Sequence, residues 1–180
     1  MLISYKNFRD DTYYLHSKLT QKGNTTYYFS KEAEGAAELD QVPAGYEIYE
    51  NPNGNVYFRK EQKPVILPEE INVISNGMIK YSVIKDFKLD IKKNAVFIYT
   101  VDPSITNASI PKQLLHKYKQ YATDLRFVLV DKEERIYEVE RFCYKGGIDD
   151  WIFLDQSNDL EKLVQEYTQH LGKDSFYELM

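Results

Sequence analysis

At 180 residues, 43% of them hydrophobic and 28% charged, the chain has the balance of a globular protein and enough length to bury its own core, which excludes a disordered tail and any dependence on disulfide or metal staples. Its net charge of −5 disfavours nonspecific nucleic-acid binding, where phosphate contacts dominate, although residues 66–125 carry 8 basic against 6 acidic groups and residues 126–180 carry 7 against 13. The lone Cys143 excludes an internal disulfide and, with no histidine beside it, reads as a small buried hydrophobe.

The N-terminus, Met-Leu-Ile-Ser-Tyr-Lys, lacks the basic start and long apolar run of a secretory signal, so the expected location is the cytoplasm. The longest uninterrupted apolar run, Ala95 to Tyr99, is far below the roughly 20 residues that span a bilayer, and no membrane partner is expected.

The first sixty residues predict two β-hairpins, because short aromatic and β-branched runs alternate with glycine and asparagine turn signals. Thr12 to Leu19 pairs with Thr25 to Ser30 across Gln21-Lys22-Gly23-Asn24. Tyr46 to Glu50 pairs with Asn55 to Lys60 across Asn51-Pro52-Asn53-Gly54, where Pro52 presets one turn dihedral and Gly54 is free to take φ > 0. Lys31 to Gly45 reads as a loop or one weak helical turn.

Glu61 to Pro68 carries Pro64 and Pro68 without periodicity and predicts an extended connector. The expected organisation is a tyrosine-rich β-hairpin module over residues 1–62 and an α+β domain over 66–180 with mostly antiparallel strands.

A helix is expected from Pro68, with Glu69 and Glu70 near its positive end and Ile71, Ile74, Met78 and Tyr81 on one face; Asn76-Gly77 is the point where it would stop early. Lys88 to Ile91 and Ala95 to Val101 predict a hairpin, followed by a loop over Asp102 to Ile110. Pro111 opens a second predicted helix with a stripe of Leu114, Leu115, Tyr118 and Ala122. Strands are expected at Leu125 to Val130, Ile136 to Tyr144 and Trp151 to Asp155. A closing helix shows Asn158 and Glu161 as a capping box, Leu160, Leu163, Val164, Tyr167 and Leu171 as its buried stripe, and Gly172 beyond its end.

No metal, cofactor or catalytic motif stands out. His16, His116 and His170 lie far apart, and phosphate-cradling and nucleophile-elbow glycine patterns are absent. The order helix, three strands, helix from Pro111 to Leu171 resembles the core of metal-dependent restriction-endonuclease-like nucleases, which would imply carboxylates such as Glu138 and Glu140 around a divalent ion. The third strand, Trp-Ile-Phe-Leu-Asp, lacks the lysine of that pattern, and the two glutamates read instead as a solvated strand face.

The second hairpin, Pro43-Ala44-Gly45-Tyr46-Glu47 with Asn51-Pro52-Asn53-Gly54-Asn55-Val56-Tyr57-Phe58, resembles the first hairpin of WW domains. Tyr46 stands where that family has tryptophan, and Glu61 to Glu70 offers no third strand. The wider pattern of Tyr13-Tyr14-Leu15-His16, Tyr27-Tyr28-Phe29-Ser30, Pro43 to Gly54 and Val56 to Lys60 resembles an uncharacterised family of bacterial proteins. That likeness implies a bacterial cytosolic origin and no known activity.

Five lysines between Lys80 and Lys93, with Lys112, Lys117 and Lys119 beyond, read as a solvated face or, if they converge, an anion-binding one. Strand parity sorts the hairpins into a core set of Tyr13, Leu15, Tyr27, Phe29, Tyr46, Ile48, Val56 and Phe58 and an opposite set of Tyr14, His16, Tyr28, Glu47, Tyr49, Tyr57 and Arg59. The second set mixes rings with ionisable groups, and Tyr14, His16, Tyr28, Tyr49, Tyr57 and Arg59 are the candidate binding residues. The expected function is noncatalytic binding, with a protein partner ahead of nucleic acid; a hydrolase or nuclease with a dispersed site is the other alternative.

Overall fold

The computed structural model describes residues 2–63, 65–101, 111, 114–144 and 149–179. The expected loop over 102–110, Lys112, and the Gly146-Gly147 connection lie outside the described residues. The chain forms two compact units: Met1–Gln62 with Pro103–Gln120, and Lys63–Asp102 with Tyr121–Met180. The sequence reading ran its second domain unbroken over 66–180, whereas the chain returns once to the first unit before completing the second.

The first unit holds two antiparallel sheets. One is ordered β1-β2-β3, from Ser4–Lys6, Thr12–Leu19 and Thr25–Ser30; the other pairs β4, Tyr46–Glu50, with β5, Val56–Lys60, and has no third strand among the described residues. Both hairpins keep the expected pairing, with Leu15 opposite Phe29 and Ile48 opposite Phe58. Gly54 takes φ +77, and its carbonyl accepts from Asn7 Nδ2 at 2.7 Å, so the turn itself is tied to the β1–β2 connection. Glu50 reinforces that tie by accepting from the Tyr5 hydroxyl at 2.8 Å and from the Phe8 N–H at 2.9 Å.

The core set converges around Phe58, although Tyr46, expected inside, is 38% exposed. Leu15 is fully buried, and the Phe58 ring lies 5.3 Å from Tyr27, 6.5 Å from Phe29 and 4.9 Å from Tyr46.

The helix expected from Pro111 is cut to one turn, α2, Leu115–Tyr118. Its stripe does not form: Leu114 and Tyr118 are exposed, and Ala122 belongs to a strand that begins at Tyr121 because that residue pairs with Val101. Polar contacts fix this segment in its unit instead. Arg9 Nη2 donates to the Lys119 carbonyl at 2.6 Å, and His116 Nε2–H donates to Asp10 Oδ2 at 3.1 Å.

The second unit is a five-stranded antiparallel meander ordered β10-β9-β8-β7-β6, from Phe87–Lys92 (β6), Ala95–Val101 (β7), Tyr121–Asp131 (β8), Ile136–Tyr144 (β9) and Asp149–Ser157 (β10). Each strand neighbours its successor in sequence; β6–β7 and β8–β9 are joined by short turns, whereas residues 102–120 separate β7 from β8. One sheet face contributes Val96, Ile98, Leu125, Phe127, Leu129, Tyr137 and Val139 to the core. Ile74 and Met78 of α1, Pro68–Tyr81, and Leu163, Val164 and Tyr167 of α3, Leu160–Thr168, supply the rest.

Asn76-Gly77 does not end α1. A Cβ on Gly77 would lie 2.0 Å from Val164 Cγ1, so the absent side chain is what lets α1 and α3 approach. The cap of α3 is Asp159 and not Asn158: its carboxylate accepts from the Lys162 N–H at 3.0 Å. That helix also stops at Thr168, before Gly172, which takes φ +81 further along the chain. Among the described residues no helix is long and apolar enough to cross a membrane.

Candidate functional site

The six candidate binding residues fall on two separate sheets of the first unit, so they form two groups and not one continuous face. On the first sheet His16 and Tyr28 are directly opposed, their rings stacked at 5.3 Å and 20°. His16 is only 6% exposed, while Tyr28 above it is 47% exposed. Because the Glu32 carbonyl 2.9 Å away can only accept, the His16 Nε2 carries a proton and donates. His16 is therefore the floor of this group and Tyr28 its accessible surface. Tyr14 is half-buried between Ser4 and Ser30.

On the second sheet Tyr49 and Tyr57 are opposed and their rings stack at 6.1 Å. The Arg59 guanidinium lies 3.7 Å from the Tyr49 ring centroid, and its Nε donates to Glu47 Oε1 at 2.7 Å. Four outward side chains are thus locked side by side, with Tyr57 48% exposed at the rim. A stacked guanidinium with a carboxylate partner has little rotamer freedom left to lose.

The lysines expected to cluster have individual partners. Lys85 donates to the Ile79 and Ser82 carbonyls at 2.7 and 2.8 Å, at the negative end of α1. Lys88 lies over the Tyr121 ring, and Lys92 pairs with Asp90 at 3.0 Å. Lys117 and Lys119 belong to the other unit.

A third group escaped the sequence reading. On the sheet face away from the apolar core of the second unit, the Arg126 guanidinium lies 4.3 Å from the Trp151 ring and 5.4 Å from Phe97. Trp151 meets Phe97 and Phe142 edge-on at 5.7 and 5.3 Å. Glu140 pairs with Arg126 and is not a freely solvated strand residue. These three rings and two charges come from four strands, so no local motif announces them; strand parity applied to β7 through β10 is the signal that finds them. Among the described residues no three His, Cys, Asp or Glu side chains gather as a metal site.

The fold and surface together define an α+β protein with N-terminal β-hairpins. Comparison with protein-family models, curated proteins and solved structures finds no match to the chain.

Proposed function

We propose that this is a noncatalytic interaction protein whose first unit presents the outward tyrosines of its hairpins to a protein partner. The observation that carries the reading is the ordered array Glu47, Tyr49, Tyr57 and Arg59, in which Arg59 is stacked on Tyr49 and tethered to Glu47 while Tyr57 remains half exposed. Tyrosine and arginine are the side chains most often dominant in protein contacts, and their prior immobilisation removes part of the ordering cost of binding. Tyr28, stacked on a buried His16, offers a second rigid contact of the same kind.

The test is affinity purification of the tagged protein from its own cells, comparing wild type with Tyr57→Ala and Tyr28→Ala, alongside thermal melting of each. The reading expects a specific partner to be lost from a variant whose melting temperature is retained. Unchanged recovery, or a large loss of stability, would return these rings to a structural role. Oligonucleotide binding with a steep salt dependence would move the assignment to nucleic acid.

A further inference from the structure

The second unit buries a cation that forms no ion pair among the described residues. Arg141 sits on the core side of β9, opposite Leu125 of β8 and Ile152 of β10, and is only 7% exposed. Its Nε is sealed from water and has no hydrogen-bond partner among the described residues. The nearby Phe176 ring, 5.8 Å from the guanidinium carbon, gives at most a weak attraction. A guanidinium loses strong hydration when buried, and an anion with matching acceptors is the usual compensation.

Asp124 is the acid that senses this charge, but no hydrogen bond or ion pair joins it to Arg141 among the described residues. Burial raises its pKa, and the attraction of Arg141 only partly opposes the effect. Asp124 falls where the β7–β8 register slips, between the pairs Ile98–Leu125 and Tyr99–Thr123.

The strand pairing changes at Arg141. The β8–β9 ladder ends at the pair Leu125–Arg141. Beyond it, Thr123 to Tyr121 pair with β7, while Phe142 to Tyr144 pair with β10. The two strands therefore part like a fork, with Arg141 in the last β8–β9 pair at its apex.

We infer that the fork between β8 and β9 is a binding site for a small oxyanion of the carboxylate or phosphate type, held by the Arg141 guanidinium. The planar fork of N–H donors matches two oxygens of such a group, and the restricted exposure limits the occupant to a small group. This site lies in the second unit and is independent of the tyrosine array.

The experiment titrates wild-type protein with inorganic phosphate or with acetate at an ionic strength held constant by chloride, reading thermal stability and the Arg141 Nε–H NMR resonance. A saturable rise in melting temperature and a saturable shift of that resonance are expected for at least one anion, and the one that saturates lower identifies the class. Arg141→Met should abolish the stability response, and Arg141→Lys should weaken it by about tenfold, because a point charge replaces a bidentate donor. Chloride reproducing the response, an unmoved Nε resonance, or a full response in Arg141→Met would overturn the site. Should Arg141→Met fail to fold, the wild-type resonance alone decides.

Discussion

Glu70 and Arg135, 65 residues apart, form a two-point ion pair: Arg135 Nε donates to Glu70 Oε1 at 2.8 Å and Arg135 Nη2 donates to Oε2. Glu70 also accepts the Leu67 N–H at 2.7 Å at the start of α1, and Arg135 takes φ +52 in the turn between β8 and β9. One carboxylate therefore caps a helix and fixes that helix to a hairpin turn. Arg135→Ala should cost about 1–3 kcal/mol at neutral pH, measured by urea unfolding, since it leaves a part-buried carboxylate with fewer donors. A loss below about 0.5 kcal/mol would class the pair with ordinary surface bridges.

The same pair sets a pH dependence. Burial pushes the Glu70 carboxyl up, but the donors Arg135, Leu67 and Tyr137 together outweigh it and hold the group below its ordinary value. A depressed carboxyl stabilises the fold above its unfolded pKa, near 4.3, and loses that contribution as pH falls through the folded value. The stability gap between wild type and Arg135→Ala should therefore shrink between about pH 5 and pH 2. A gap independent of pH would mean that the pair does not act through charge.

Gly77→Ala should destabilise the second unit, although alanine favours a helix over glycine by up to about 1 kcal/mol. The added methyl would meet Val164 Cγ1 at 2.0 Å, and relieving such a clash typically costs about 1–3 kcal/mol. Val164→Ala in the same chain should recover part of the loss, giving strong non-additivity in a double-mutant cycle. Additive effects would place the two side chains out of contact.

Leu163→Ala tests the packing of α3 on the sheet. Leu163 is 1% exposed within the core, so its truncation should cost about 2–5 kcal/mol. A cost under about 1 kcal/mol would remove this face from the core.

A protease of broad specificity should cut first in the connector after β5, where Glu61 to Lys63 are exposed and outside the strand. First cleavage within Leu125 to Asp155 would contradict the division into units.

What the sequence determined by itself is what depends on short stretches of chain. The two N-terminal hairpins, the start of α1 at Pro68, the β6–β7 hairpin and the buried stripe of α3 follow from turn chemistry and periodicity acting over a few residues. The alternation of hairpin side chains between two faces was equally legible, because pleat parity is a property of the strand alone, but their burial was not: His16 of the outward set is buried and Tyr46 of the inward set is exposed.

Tertiary structure decided the rest, in each case because a distant partner outweighed a local preference. Asn76-Gly77 could end the helix early, yet α1 runs on to Tyr81, with Val164 packed where a side chain at Gly77 would stand. Ala122 completes a helical stripe in sequence, but pairing of Tyr121 with Val101 draws the segment into β8. Parity placed the outward tyrosines on one kind of face, while strand pairing divided them between two sheets. Arg141 and Arg126 look alike in sequence as charges within strands. Only the packing of β8, β9 and Phe176 sets Arg141 in the interior at the end of a ladder, while Arg126 meets Glu140 and Trp151 on the other face.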